Sequence, residues 1–224
     1  MTIEWILIIV IGIVGMLVQG RLQSVFQRYS RESMPGGLTG REVAEKMLRD
    51  NGINDVRVIS TRGHLTDNYN PTNKTINLSE SVYGSRSISA AAVAAHETGH
   101  AIQDAVGYGP LRLRTSLVPV ISFSSKWSFL LILVGILVIN IFPAIFWIGI
   151  GMIGMSAVFS VVTLPVELNA SQRALRWLES SGLLYNSSLA QAREALKWAA
   201  MTYVVAALSA IATLIYYIGI ARRN

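Results

Sequence analysis

Ser89-Ala90-Ala91-Ala92-Val93-Ala94-Ala95-His96-Glu97-Thr98-Gly99-His100-Ala101-Ile102-Gln103 is the stretch on which the reading of this chain turns. Its alanines and other small residues favour a helix. It holds two of the three histidines in the chain, four residues apart, with a glutamate directly after the first. Helix positions i and i+4 share a face, so both imidazoles can reach one zinc ion. Glu97 then sits beside the ion, where a base for an attacking water is needed. The plainer reading is a chance pentapeptide, or a helix whose histidines only hydrogen-bond. The helical context and the scarcity of histidine elsewhere weigh against it.

Outward from this stretch the chain is apolar. Of its 224 residues 52% are hydrophobic and only 14% charged, and the apolar ones are clustered, which points to membrane spans. The first run covers 3–18 and is broken only by Glu4. Met1-Thr2-Ile3-Glu4 lacks the positive start of a secretory signal, and Gln19-Gly20-Arg21 is a poor cleavage site, so a retained anchor is expected. Residues 127–165 are enough for two spans, with Asn140 and Pro143 supplying the turn. Lys126 can snorkel to the headgroups, so the first helix of this hairpin is expected to begin before Trp127. A fourth span covers about 199–220 and ends at Arg222-Arg223. Gly149, Gly151 and Gly154 fall in the third span, where small residues let helices approach closely. The bilayer is therefore one partner. The net charge of +6 is scattered, without aromatic interleaving or a basic helix, so nucleic acid is not expected as another. Without cysteine there are no disulfides and no thiolate ligands.

The polar segments read as globular structure. Thr39-Gly40-Arg41-Glu42 is a capping-box pattern opening a helix with Val43, Met47 and Leu48 on its apolar face, and Asn51-Gly52 closes it. Strands are expected at 56–59, 65–69 and 74–78, the last two joined by Asn70-Pro71-Thr72-Asn73. A helix, a few antiparallel strands and the motif helix make a small α+β unit. After the hairpin, Pro165 is expected to open a helix that Ser180-Ser181-Gly182 ends, and a further helix from Ser187 feeds the fourth span. The chain thus divides into a span at 1–20, a catalytic segment at 21–115, a hairpin at 116–165, a helical segment at 166–198 and a last span at 199–224. The fold class expected is a mostly α membrane protein, with about four transmembrane helices and the small α+β unit.

Catalytic zinc takes three protein ligands and keeps a fourth position open. His64 is the only other histidine, so a carboxylate is the expected third ligand. Glu167 is favoured by topology, because two spans separate it from His100 and return the chain to the same side. The alternative is an interfacial glutamate paired with Arg173. Asp104, Glu179 and Glu194 read as solvated or paired surface charges.

The motif octet from His96 to Gln103, the preceding Ala-Val-Ala-Ala, and Pro165-Val166-Glu167 with Asn169-Ala170-Ser171 resemble the bacterial membrane-bound neutral zinc metallopeptidases of the YugP-like family. The chain is more distantly similar to the HtpX heat-shock and prenyl-protein-processing membrane peptidases. This resemblance implies a zincin-like fold, one zinc ion on His96, His100 and Glu167, and Glu97 as base. In the distant relatives an aspartate often follows the ligand glutamate by four residues. Here that position is Ser171, which leaves the support of the histidines to Asn169 or another group. Residues 74–78 stand where zincins carry an edge strand that pairs with extended substrate, though an ordinary sheet edge fits equally well. His64, Tyr69, Tyr83 and Arg173 are candidates to stabilise the oxyanion.

The function expected is a zinc endopeptidase acting on membrane or membrane-proximal proteins. One rival is an inactive metal-binding scaffold, which would have no use for Glu97. Another is a small transporter, which the absence of intramembrane charges and paired broken helices disfavours. Arg21, Arg28, Arg31, Arg112, Arg114, Lys126, Arg193 and Lys197 flank the catalytic segments, against Arg222 and Arg223 opposite. The positive-inside rule thus places the active site on the cytoplasmic face.

Overall fold

The alanine-rich run is helical, and the globular part of the chain is built around it. The structure, a computed structural model, describes residues 3–63 and 66–223. In order these form α1 (Ile3–Tyr29), α2 (Gly40–Asp50), β1 (Arg57–Thr61), β2 (Asn68–Asn70) and β3 (Thr75–Ser79). Then come α3 (Glu80–Tyr83), α4 (Ile88–Ala105), α5 (Gly109–Leu137), α6 (Ala144–Ser180) and α7 (Asn186–Arg223). The protein is mostly helical, with one small sheet. The chain divides into two compact units, one formed by Gln19–Leu111 with Val166–Met201, the other by Met1–Val18, Arg112–Pro165 and Thr202–Asn224.

In the first unit the local signals act as the sequence suggests. Thr39 accepts from the Glu42 backbone N–H while the Glu42 carboxylate accepts from the Thr39 backbone, so both ends of the capping box are closed. Burying Val43, Met47 and Leu48 turns α2 onto α4. Asn51 caps the helix, and Gly52 follows at φ +69°, a conformation that costs glycine little. Helix α4 starts on the Ser87 side chain, which accepts from the Ala90 N–H. From Ile88 to Gln103 it is buried at every residue except His96, which is only partly so. A helix buried all round needs small side chains, and the alanines supply them. Around it close Ile76 and Leu78 of β3, Ala174 and Leu178 of α6, and Leu184, Ala192 and Leu196.

The sheet departs from expectation. Its order is β1-β3-β2, with β2 and β3 antiparallel but β1 and β3 parallel, in register from Arg57 opposite Thr75 to Thr61 opposite Ser79. Strand β3 is therefore the middle strand, and residues 74–78 are not a free edge for substrate. Thr75 and Ser79 are buried although polar, and the Asp67 carboxylate accepts from the Ser79 backbone and hydroxyl. The observed strands begin one to three residues later than expected.

Pro165 does not open a helix but lies inside α6, which runs unbroken for 37 residues. Proline removes one backbone donor, and a long helix tolerates that loss. The end of α6 at Ser180, with Gly182 at φ +70°, agrees with the sequence. Glu194 accepts from Arg21 and from the Tyr29 hydroxyl, a paired charge as expected. Val25, Tyr29 and Ala195 form a small buried cluster beside it.

The second unit holds apolar lengths of α1, α5, α6 and α7, and these four helices are long and apolar enough to cross a membrane. Leu17, Phe129, Leu137 and Ile141 stand exposed on it, which suits lipid and not water. Asn140 and Pro143 lie in the turn between α5 and α6, and α5 begins at Gly109, well before Trp127. Of the three glycines, Gly149 faces the Ile132 backbone at 3.1 Å from where a Cβ would stand. Gly154 makes only ordinary contact with Leu214, and Gly151 faces open space. Close approach thus accounts for one of them.

Truncating Met47, fully buried between α2 and the rest of the core, should destabilise the protein by about 2–5 kcal/mol. A thermal-unfolding midpoint of Met47→Ala equal to that of the parent would refute this placement of the core.

Candidate metal centre

Two helices assemble the site, α4 and the part of α6 from Val166 onward, and both of these segments belong to the first unit. Helix α4 presents His96, Glu97 and His100, and α6 presents Glu167. Glu167 Oε2 lies 3.1 Å from His96 Nε2 and 3.5 Å from His100 Nε2. The two imidazoles stand edge to face with centroids 4.8 Å apart. One ligand atom from each of the three residues falls within 4.8 Å of the others, a grouping able to hold a metal ion. Zinc bound tetrahedrally at 2.0–2.1 Å keeps its ligand atoms about 3.3–3.4 Å apart, so the two distances from Glu167 and this N, N, O donor set fit it. The His96 side chain is 13% exposed against 8% for His100 and 3% for Glu167, so the cluster opens on the side of His96.

The helices can meet this closely because of Gly99. A Cβ there would stand 2.6 Å from the carbonyl oxygen of Ala170 and 3.1 Å from its Cα. Glycine between the two histidines lets α4 lie directly on the α6 backbone, three residues past Glu167. The distant hairpin-delivered carboxylate thereby reaches both imidazoles.

Each imidazole is also held from behind. The Ser171 hydroxyl is 3.0 Å from His96 Nδ1, and the Gln103 Oε1 is 3.0 Å from His100 Nδ1. Both Nε2 atoms are thereby turned toward Glu167. Glu97 is buried, and burial pushes its carboxyl above the usual carboxylate range. Glu167 pushes the same way, while His96 and His100 pull it down. A cavity of about 470 Å³ opens beside the N-terminal half of α4, lined by Ser89 and Val93, by Val82, and by Leu22 and Phe26 of α1. Val93 precedes Glu97 by one helical turn.

The residues singled out from the sequence fall into two groups. Ser171 contacts His96 in place of an aspartate, and Asn169 accepts from Gln103 and from Arg173, both near the metal cluster. Arg173 spends its Nε on Asn169 at 2.7 Å, while Glu167 faces the histidines. Tyr69 donates to Asp104, which also pairs with Lys74, so its proton is committed there. Burial and then that carboxylate raise the Tyr69 phenol well above its usual range. Tyr83 lies under the Arg41 guanidinium at the start of α2 and lines a depression with Thr39 and Glu42. His64 lies outside the described residues. Gln103 was not singled out. Its spacing of three from His100 on a helix was the available signal.

The family model described as "Putative neutral zinc metallopeptidase" matches residues 4–222. The chain belongs to that family. It is 43% identical over 202 residues to "Putative membrane protease YugP" of Bacillus subtilis (strain 168), covering 89% of this chain and 88% of that protein. No solved structure matches. The neutral zinc metallopeptidase family and the membrane-protease relative agree with the donor set of the cluster and with the four apolar helices.

Replacing Gly99 with alanine should force α4 and α6 apart, costing about 1–3 kcal/mol of stability, and should lower zinc retained by the purified protein at least tenfold. Undiminished zinc by elemental analysis would show that the close approach is unnecessary.

Proposed function

We propose that this chain is a zinc-dependent membrane endopeptidase that hydrolyses peptide bonds of membrane or membrane-proximal proteins through a zincin-like unit. The observation that carries the reading is the convergence of His96, His100 and Glu167 with the buried Glu97 beside them. One zinc ion held by those three residues would polarise the scissile carbonyl and lower the pKa of a water toward neutrality. Glu97 accepts the proton of the attacking water and delivers it to the leaving amine nitrogen. Its burial raises its affinity for that proton during the transfer. Tyr69 donates its hydroxyl to Asp104, so it is set aside as an oxyanion donor. A scaffold that only bound metal would gain nothing from a buried carboxylate at position 97.

In a Glu97→Gln protein, cleavage of membrane-protein substrates should fall by at least a thousandfold, about 4 kcal/mol, while zinc stays bound at one per chain. Undiminished turnover would end the peptidase mechanism. His96→Ala and Glu167→Ala should instead lose the metal.

We further infer that the catalytic segments face the cytoplasm, from the arginines and lysines that flank them. Because the chain has no cysteine, a single one at the exposed Thr72 or at Ala221 reports its own side. In intact cells an impermeant thiol reagent should label Ala221→Cys and spare Thr72→Cys. The reverse pattern would invert the orientation.

A further inference from the structure

Gln103 is fully buried, and every polar atom of its side chain is used. Its amide nitrogen donates to the Val166 backbone carbonyl at 2.8 Å and to Asn169 Oδ1 at 3.0 Å. A backbone carbonyl can only accept, so the amide cannot be turned around without setting two oxygens against each other. Asn169 is fixed in the same sense. Arg173, which can only donate, reaches its Oδ1 at 2.7 Å. With the nitrogen of Gln103 thus committed, its oxygen faces His100 Nδ1 at 3.0 Å, and that nitrogen must carry the hydrogen. A neutral imidazole protonated at Nδ1 has its lone pair at Nε2, the atom facing Glu167.

We propose that Gln103 is a positioning residue, which locks His100 in the tautomer able to bind metal and ties it to the backbone that delivers Glu167. Val166 immediately precedes Glu167, so one side chain couples the second ligand to the third across two helices. Asn169, held by Arg173, is the second pin. His96 has no equivalent. Among the described residues its Nδ1 meets only the Ser171 hydroxyl, which can donate or accept and so imposes no tautomer. The two imidazoles are therefore held unequally, with His100 preset and His96 adaptable. This inference rests on the zinc reading of the cluster.

The test measures zinc affinity of the full-length, detergent-solubilised protein by competition with a fluorescent chelator, alongside the thermal midpoint of the metal-free form. Gln103→Met, similar in size but unable to hold any of the three partners, should weaken zinc binding by about 10–100-fold. Met47→Ala, which loosens the same core far from these hydrogen bonds, should lower the midpoint and leave zinc affinity within about twofold. Asn169→Asp keeps the accepting oxygen and should match the parent, whereas Asn169→Leu should weaken zinc several-fold. If Gln103→Met cannot be recovered folded, the Asn169 pair decides. Equal affinities for Asn169→Asp and Asn169→Leu, a Gln103→Met protein that binds like the parent, or a Met47→Ala protein that loses zinc as strongly would each overturn the assignment. A parent protein that takes up no zinc at all would instead overturn the metallopeptidase reading beneath it.

Discussion

Backbone contact between α4 and α6 at Gly99 and Ala170 is the constraint from which the site follows. Two helices separated by ordinary side chains lie about 8–10 Å apart. Closer approach shortens the distance that the Glu167 carboxylate must span to meet both imidazoles. Removing the side chain at one position brings the backbones together where the ligands must meet. The alanines that surround α4 extend the same logic along its length, since a helix enclosed on all sides must be thin. Small residues that look featureless in composition are here what makes a polar centre geometrically possible.

Polar groups then fix what packing has brought near. Burying two imidazoles and two carboxylates together is costly unless each finds a partner. Ser171, Gln103, Asn169 and Arg173 supply that support, and three of the four come from the turns of α6 that follow Glu167. The same helix that delivers the ligand thus also brings most of what steadies the histidines. Glu97 stands apart from this network with its proton affinity raised by burial, which suits the role of base proposed for it.

Much of this was legible in the residues. The spacing of His96 and His100, the capping box at Thr39, the turn at Asn140 and Pro143, and the four apolar runs all express local rules that tertiary structure left intact. Glu167 was reachable by topology because the two intervening spans return the chain to one side. What escaped was non-local. Nothing in 74–78 says which strands lie on either side, so β3 read as an edge and proved central. Pro165 carries a strong boundary signal that the surrounding long helix overrides. Gln103 was hidden because its importance depends on a carbonyl 63 residues away. Ser171 was visible but ambiguous, since a hydroxyl in place of a carboxylate can support an imidazole or merely fill space.

The separation of the ligands along the chain has a consequence for biosynthesis. His96 and Glu167 are 71 residues apart, with a pair of apolar helices between them. While the ribosome is still making that hairpin, the nascent chain carries two donors and lacks the third. Two imidazoles alone make a weak zinc site, so on the proposed reading an ion would be captured firmly only after the hairpin has been synthesised. A metallopeptidase of the kind proposed above would stay inert until α6 has been made, with α7 still to follow.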